Sequence, residues 1–281
     1  SHVDGYMGGY VRLSDFVGAA VQGPKTLEAI QNPGCGWFYR AGASTFHDIP
    51  GSPIAYWASE AAVHAFKTMK PLGSWLTTRE GMATADNDRF VRSWWESPLQ
   101  AIGFEIPDQA AARLKKWFPY QKGGEYRKWY GNNDLIVNWE NDGSEIRSNI
   151  DVKTGRIRSH NYNGEYGFIE GITWSSLSSG RIHVRFSPRG SLFDSKGAKG
   201  FAQTTEQCLY AVALINSSPA ALFLTFLAPT LDYKVGDVIV IPDAQANLDS
   251  VCVLAKGCIG ISRADWDTQE TSWDFKRNPL I

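Results

Sequence analysis

The sequence predicts a mixed α+β fold in which a β-rich middle, about residues 70 to 200, is framed by helices. Apolar residues recur at helical spacing near both ends of the chain. In the middle, short β-prone runs alternate with Gly, Asn and Asp. A chain of 281 residues that is 43% apolar and 20% charged can bury a core, and it is neither disordered nor fibrous.

The first part of the chain, residues 1–70, is predicted as a helical connecting segment. Residues 1–36 are rich in Gly and carry no clear periodicity. Residues 54–69 carry apolar side chains every three or four positions, which predicts a helix with Ser52 as its N-cap. Pro71 predicts the end of this helix because proline removes a backbone donor.

The second part, residues 71–203, is predicted as a β-rich lobe. Asp108 is an N-cap signal, so a short helix is expected over residues 108–117. Residues 153–156 predict a turn. Runs rich in β-branched and aromatic residues predict strands over 135–139, 168–174 and 181–186.

The third part, residues 204–281, predicts two helices, a strand and a closing helix. The expected bounds are 204–216 and 219–228 for the two helices, 238–241 for the strand and 248–261 for the closing helix. A polar break separates the first two helices, so each is shorter than the roughly 20 apolar residues that cross a bilayer. They are expected to form a buried hairpin, without a membrane partner.

Cysteine usage and the start of the chain predict a cytoplasmic protein. The four cysteines, at 35, 208, 252 and 258, show no CxxC spacing and do not cluster with histidines, so neither a disulfide framework nor a metal site is expected. The first residues do not resemble a signal peptide.

The net charge of −1 is a cancellation between regions. Residues 113–199 contain fifteen Lys and Arg against nine Asp and Glu, which gives a net charge of +6, and the remainder carries −7. A basic middle with acidic flanks is compatible with a polyanionic partner such as nucleic acid. Uneven surface charge without function is the alternative.

The densest candidate for DNA contact is residues 122–133, KGGEYRKWYGNN. Its cations can neutralise phosphates, its glycines allow close approach of the backbone, and Asn and Arg can pair with base edges. The alternative is a tight hairpin whose aromatic rings stack in a core.

Two further runs carry similar chemistry. Residues 79–92 contain the polar stretch Asp86 to Arg89, which is equally typical of a turn that satisfies its own backbone. Residues 175–185 end in Arg181, His183 and Arg185, whose period of two predicts one basic strand face turned to solvent. Such a face can follow a phosphate backbone, or it can protect an edge strand.

Two alternatives to DNA recognition remain open. Asp108, Glu125 and Arg127 approach the PD-ExK spacing of Mg²⁺-dependent nucleases, although Arg replaces the Lys that polarises water. The 11 Trp, 11 Tyr and 14 Phe could instead form a surface that binds carbohydrate or protein. No phosphate-cradling loop, nucleophile elbow or NPPY-type methyltransferase motif is present.

Long ordered strings resemble the region that follows the catalytic domain in the PglX-type adenine-specific DNA methyltransferases of BREX phage defence. They are IPGSPIAYWAS (49–59), LGSWLTTREGMATADNDRFVR (72–92), KWFPYQKGGEYRKWYGNNDLIVNWENDG (116–143), ITWSSLSSG (172–180), APTLDYKVGDVIVIP (228–242) and DWDTQETSWDF (265–275). The resemblance covers about residues 10 to 281.

The resemblance implies a target recognition domain similar to those of type I specificity subunits, working with a catalytic domain of the same parent protein. That parent would bind S-adenosylmethionine, methylate adenine N6 in double-stranded DNA and act with other BREX components. This chain matches only the recognition region, so no catalytic residue and no cofactor is assigned to it. The residues expected to contact DNA are Arg79, Asn87, Arg89, Arg92, Lys122, Arg127, Lys128, Trp129, Tyr130, Asn132, Asn133, Arg181 and Arg185.

Overall fold

The computed structural model describes residues 5–107, 110–178, 180–230, 232–245 and 247–277, and it confirms a mixed α+β fold. The helices are α1 (Ala19–Gln31), α2 (Ala43–Phe46), α3 (Glu60–Thr68), α4 (Asn87–Phe90), α5 (Glu140–Arg147), α6 (Thr205–Ile215), α7 (Ser218–Leu227), α8 (Val235–Ile239) and α9 (Leu248–Trp266). The strands are β1 (Met7–Val11), β2 (Phe38–Gly42), β3 (Lys70–Pro71), β4 (Thr77–Arg79), β5 (Val91–Ser93), β6 (Trp117–Gln121), β7 (Leu135–Asn138), β8 (Gly171–Trp174), β9 (Val184–Ser187), β10 (Leu192–Phe193), β11 (Lys199–Phe201) and β12 (Pro242–Asp243).

Two four-stranded sheets form the middle of the molecule. One has the order β10-β6-β7-β5, and the other has the order β4-β11-β8-β9. Two-stranded pairs, β1-β2 and β3-β12, lie outside them. Because β12 comes from the third part of the chain and pairs with β3, the helical end is tied back to the start of the β-rich part.

Each sheet has its own apolar core. Phe118, Val137 and Phe168 are fully buried in the first core. The second core joins Ile172 and Trp174 of β8 to side chains from α6, α7 and α8. A smaller cluster packs α6 against α9. The helices therefore hold the second sheet from one side, and the first sheet carries loops that lie at the surface.

The two predicted helices are confirmed because their local signals are strong, but they meet at 72° and are not the antiparallel hairpin that was expected. Thr204 and Gln207 form a reciprocal capping box at the start of α6, and Ser217 caps α7. No helix in the described ranges is long and apolar enough to cross a membrane alone. Helices α6 and α7 together meet that criterion, but they are bent by 72° at their break.

The structure differs from the prediction at three places in the first and third parts of the chain. The helix predicted over 54–69 begins only at Glu60, where the side chain of Ser59 accepts a hydrogen bond from the backbone of Ala62. Residues 238–241 do not form a strand, since α8 covers the first two of them and packs Val238 in the second core. The Gly-rich start contains α1 and the strand β1, which the sequence did not predict.

The helix expected over 108–117 is reduced to a 3-10 turn at Ala111–Leu114, and β6 already begins at Trp117. Its expected N-cap, Asp108, lies outside the described residues. Tertiary pairing of β6 with β7 and β10 overrides the local helical signal at this point.

Candidate nucleic-acid interface

A short basic hairpin projects from the first sheet, and we call residues 149–158 the hairpin arm. The backbone N–H of Asp151 donates to the carbonyl of Arg156 (2.8 Å), and that of Arg158 donates to the carbonyl of Asn149 (2.8 Å). Ile150 and Ile157 form an antiparallel bridge. The turn predicted at 153–156 is therefore the tip of a two-stranded arm.

The arm carries three exposed cations. Lys153, Arg156 and Arg158 are exposed, and none of them forms an ion pair with a described residue. Asp151, the acid of the arm, accepts hydrogen bonds from the backbone of Lys153 (3.0 Å) and Thr154 (2.8 Å). These hydrogen bonds lower the pKa of Asp151, so the carboxylate is used to hold the turn.

The foot of the arm joins it to predicted contact residues. The side-chain amide of Asn149 donates to the carbonyl of Thr84 (3.3 Å), and the hydroxyl of Thr84 donates to Oδ1 of Asn87 (2.8 Å). Lys122 Nζ donates to the same Oδ1 (3.0 Å). Residues from three separate loops therefore meet here, and Asn87 is exposed beside them.

Lys122 is also held by a buried carboxylate. Its Nζ lies 2.8 Å from Oδ2 of Asp194, which accepts a second hydrogen bond from the hydroxyl of Tyr120 (2.7 Å). Burial and the Asp194 charge raise the pKa of Tyr120 well above its ordinary value, so the phenol remains a donor. The backbone of Lys196 donates to the other oxygen of Asp194 (2.8 Å), while the Lys196 side chain is exposed.

We call the connected set Asn87, Arg89, Lys122, Lys153, Arg156, Arg158 and Lys196 the basic face. Arg89 is exposed and forms an ion pair with Glu145 (3.2 Å). Exposed aromatic rings flank the arm, since His160 and Tyr162 stack with centroids 5.2 Å apart and an interplanar angle of 10°. Cations, an amide and stacked rings are the groups that contact phosphates and bases.

Arg79 and Arg92 lie beside the basic face but are engaged in other contacts. The guanidinium of Arg79 donates to the hydroxyl of Tyr166 (3.3 Å) and lies 5.0 Å from the centroid of that ring. Arg92 donates to the carbonyls of Asp88 and Val91. Both arginines are partly exposed, and both help to fix the backbone of residues 77–93.

The second half of the predicted contact run, residues 125–133, packs against the C-terminal helices, and we call it the docked segment. Arg127 forms an ion pair with Asp265 (2.8 Å) and lies over the ring of Trp266 (5.1 Å). Lys128 Nζ donates to the carbonyl of Asn216 (3.0 Å). Tyr130 is buried beneath the guanidinium of Arg263 (5.3 Å). These cations are used within the molecule.

Two side-chain amides and the backbone of Trp129 in the docked segment also have structural contacts. Asn132 donates to the carbonyl of Glu125 (2.9 Å), which closes the loop between them. Asn133 is buried and accepts from Gln121 (2.8 Å). Trp129 pairs its backbone with β9, donating to Val184 and accepting from Phe186. In the described conformation these contacts leave Asn133 inaccessible to DNA.

The prediction of a basic strand face at 181–185 is wrong for two of its three residues. His183 is buried and Arg185 is fully buried, because the docked segment covers the edge of β9. Desolvation lowers the pKa of Arg185 to about 10, and its Nε and Nη1 have no hydrogen-bond partner among the described residues. Arg181 is exposed, but it lines a cavity of about 780 Å³ between the N-terminal segment and α7, far along the chain from the hairpin arm.

The described residues offer no support for the two alternative functions. No group of three or more His, Cys, Asp or Glu in the described ranges could hold a metal ion. Arg127, the third member of the nuclease pattern, is paired with Asp265. All tryptophans fall within the described ranges, and among them only Trp95, at 51%, is exposed. Trp139, Trp174 and Trp266 are buried, and the remaining tryptophans are partly exposed.

The sequence pattern did not single out Val152, Lys153, Arg156, Arg158 or Lys196 as contact residues. Four of them contribute to the +6 charge of the middle segment, but that count does not separate paired from unpaired cations. A usable signal is present in the arm. Its cations alternate with Ile150, Val152 and Ile157 around Gly155, without the large aromatics that would pull the segment into a core.

Comparison with known proteins gives two relatives. The chain is 45% identical over 280 residues to the adenine-specific methyltransferase PglX of Lacticaseibacillus casei (strain Zhang), covering 99% of this chain and 23% of that protein. It is 38% identical over 240 residues to the adenine-specific methyltransferase BrxX of Escherichia coli O9:H4 (strain HS), covering 84% of this chain and 18% of that protein. No protein-family profile matches the chain.

The chain thus spans about a fifth of the length of the relatives it matches. The alignment with PglX includes nearly all residues of this chain. The resemblance found in the sequence strings is confirmed at this level. The chain is a homologue of one segment of the PglX and BrxX adenine-specific methyltransferases.

Proposed function

We propose that this chain is the double-stranded DNA recognition region of an adenine-specific methyltransferase that marks self DNA in phage defence. In the parent protein a separate catalytic domain would bind S-adenosylmethionine and methylate adenine N6 in the cytoplasm. This chain would bind the site and orient the duplex. Its likeness to the target recognition domains of type I specificity subunits belongs to the same proposal.

The observation that carries the proposal is the contrast among the cations of the basic middle. Most of those with described side chains contact an acid or a carbonyl group of the protein itself. The three cations of the hairpin arm, with Arg181, Arg189 and Lys196, remain exposed without an ion pair in the described chain. Cations that form no contact within the fold are available to bind DNA phosphates. Their binding releases counterions from the DNA, and this release is the main source of affinity for a duplex.

A salt titration tests the proposal. Affinity for a labelled duplex is measured by fluorescence anisotropy across a range of salt concentrations, for the wild type and for Lys153→Ala, Arg156→Ala, Arg158→Ala combined. Each lost phosphate contact lowers the slope of log K against log salt by about 0.9, so the triple variant is expected to lose about 2.7. Its melting temperature is expected to stay unchanged because the three side chains are exposed.

The matched control removes the same net charge elsewhere. Lys256, Lys276 and Arg277 are exposed and lie outside the basic face. Replacing all three with Ala is expected to leave the slope close to that of the wild type. Equal losses in the two triple variants would show that binding follows total charge alone. A wild type that does not bind duplex DNA would refute the proposal.

A further inference from the structure

The tip of the hairpin arm presents an apolar side chain to solvent. Val152 is 99% exposed, and Ile150 and Ile157 below it are 50% and 57% exposed. An exposed β-branched side chain gains nothing from folding, and here three of them lie among unpaired cations. Contiguous exposed apolar groups of this kind mark a contact with another molecule.

The arm is also rigid for its size. Besides its two cross-strand backbone hydrogen bonds, the N–H of Gly155 donates to the carbonyl of Asp151 (2.8 Å). Gly155 has a φ of 68°, which glycine adopts without a steric cost. Asp151 fixes Lys153 and Thr154 by accepting from both backbones. A pre-organised tip loses little conformational entropy when it binds its partner.

We propose that the hairpin arm enters a groove of duplex DNA and inserts Val152 between adjacent base pairs, while Lys153, Arg156 and Arg158 hold the phosphates on either side. This inference rests on the proposed function and extends it, because it names the part of the chain that deforms the duplex. Architectural DNA-binding proteins use apolar wedges in the same manner, unstacking one step to kink the DNA.

The charge around the tip argues for DNA over a protein partner. No ion pair joins the three cations to a described acid, and Asp151, which interacts with Arg158 through its charge, is held by the backbone of the turn. An apolar protein surface would therefore leave the cations unpaired or require matching acids. Two walls of phosphates flanking stacked bases match both features of the arm, its cations and its apolar tip. A deformed duplex is also the substrate from which a base is extruded with the least unstacking energy.

The test compares two labelled duplexes that differ only at the centre, where one has alternating TA steps and the other an A-tract. TA steps are easily unstacked, whereas A-tracts are stiff and have a narrow, strongly negative minor groove that attracts arginine. A wedge therefore favours the TA duplex, and cations acting alone favour the A-tract. We expect the wild-type chain to bind the TA duplex about fivefold more tightly.

Val152→Ala is expected to lower the ratio of TA affinity to A-tract affinity to one or below, with an unchanged salt slope, because it removes the wedge and leaves the cations, which favour the A-tract. Val17→Ala, which alters another valine that is 88% exposed, serves as the matched control and is expected to keep the wild-type ratio. A 2-aminopurine placed at the central step is expected to brighten with the wild type and with Val17→Ala, and to stay quenched with Val152→Ala.

The outcomes separate the two proposals. If the chain binds duplex DNA with the hairpin-dependent salt slope but Val152→Ala keeps the TA preference, the wedge is refuted and the proposed function stands. If the wild type binds no duplex, both are refuted. If sedimentation shows a wild-type dimer that Val152→Asp dissolves, the tip binds a second copy of the chain, and the wedge is refuted.

Discussion

The hairpin arm and the docked segment are both short, basic, Gly-containing loops from the same stretch of chain, yet they use their cations in opposite ways. In the docked segment, Arg127 and Lys128 contact groups on α9 and at the end of α6. In the arm, all three cations are exposed and unpaired in the described structure. The local density of basic residues therefore does not identify a DNA contact. A DNA contact is identified by which cations lack a partner within the protein.

The aromatic residues account for this difference. Trp129 and Tyr130 pack beside β9 and α9, and their burial brings the neighbouring cations against helical acids and carbonyls. The apolar side chains of the arm are all β-branched and aliphatic, and they are too short to reach another core. Two cross-strand hydrogen bonds and the bond from Gly155 to Asp151 hold its backbone within the arm.

The largest expected effect that separates the two loops comes from their glycines. Gly131 has a φ of 118°, and a Cβ there would lie 2.4 Å from Cδ of Arg127 and 3.1 Å from the Trp266 ring. Gly155 has a φ of 68° and open space around it. Gly131→Ala is expected to lower the free energy of unfolding by about 2–4 kcal/mol, and Gly155→Ala by about 1 kcal/mol. Urea denaturation measures both.

Equal losses in the two glycine variants would contradict the view that residues 125–133 are packed against α9. A larger loss for Gly155→Ala would place the arm, and not the docked segment, inside a cooperative core.

A smaller effect is expected when the cations of the docked segment are removed. Arg127→Ala with Lys128→Ala loses a partly exposed ion pair, a cation–π contact and a hydrogen bond to a carbonyl. The free energy of unfolding is expected to fall by about 1–2 kcal/mol, while the salt slope of DNA binding stays unchanged. A slope lower by about 1.8 would show instead that both side chains leave their contacts to bind phosphates.

A further expected effect in the same region is a pH dependence. Burial, with the nearby Arg185 charge, lowers the pKa of His183 from 6.5 to about 4. The unfolded chain therefore binds a proton at a higher pH than the folded chain does. The free energy of unfolding that comes from keeping His183 neutral is fully present above about pH 6.5. It is lost as the pH falls toward 4.

His183→Asn is consequently expected to flatten the decline of the melting temperature between pH 7 and about 4.5, which thermal denaturation measures. His160→Asn, which removes an exposed histidine at the foot of the arm, is the control and is expected to keep the wild-type profile. The same decline in all three proteins would show that His183 is not buried in its neutral form.

Local signals predicted much of the fold where they were strong. Helices α6 and α7 follow from their caps and from the polar break between them, and α9 begins at the predicted Leu248 and runs to Trp266. The strand at Leu135–Asn138 follows from its β-branched run. The run Val238 to Ile241 has the same composition, but its first two residues end α8. The Asp237 carboxylate accepts from the backbone N–H of Lys234 at the start of that helix, and Val238 and Ile241 enter the second core.

The candidate site was predicted only in part because it depends on contacts between residues far apart in the chain. Asn87, Arg89 and Lys122 do meet on one surface, although nothing in the sequence connects the loops that carry them. The burial of Arg185 depends on the docked segment covering the edge of β9, which is a contact between residues far apart in the chain.

By itself, the sequence determined the mixed α+β class, the kinship with PglX and BrxX, and the basic charge of the middle segment. These follow from composition, local periodicity and long ordered strings. Only the tertiary structure decided which cations remain unpaired. The availability of a charge depends on long-range packing, because the same guanidinium or ammonium group is neutralised by a carboxylate in one loop and left to solvent in another.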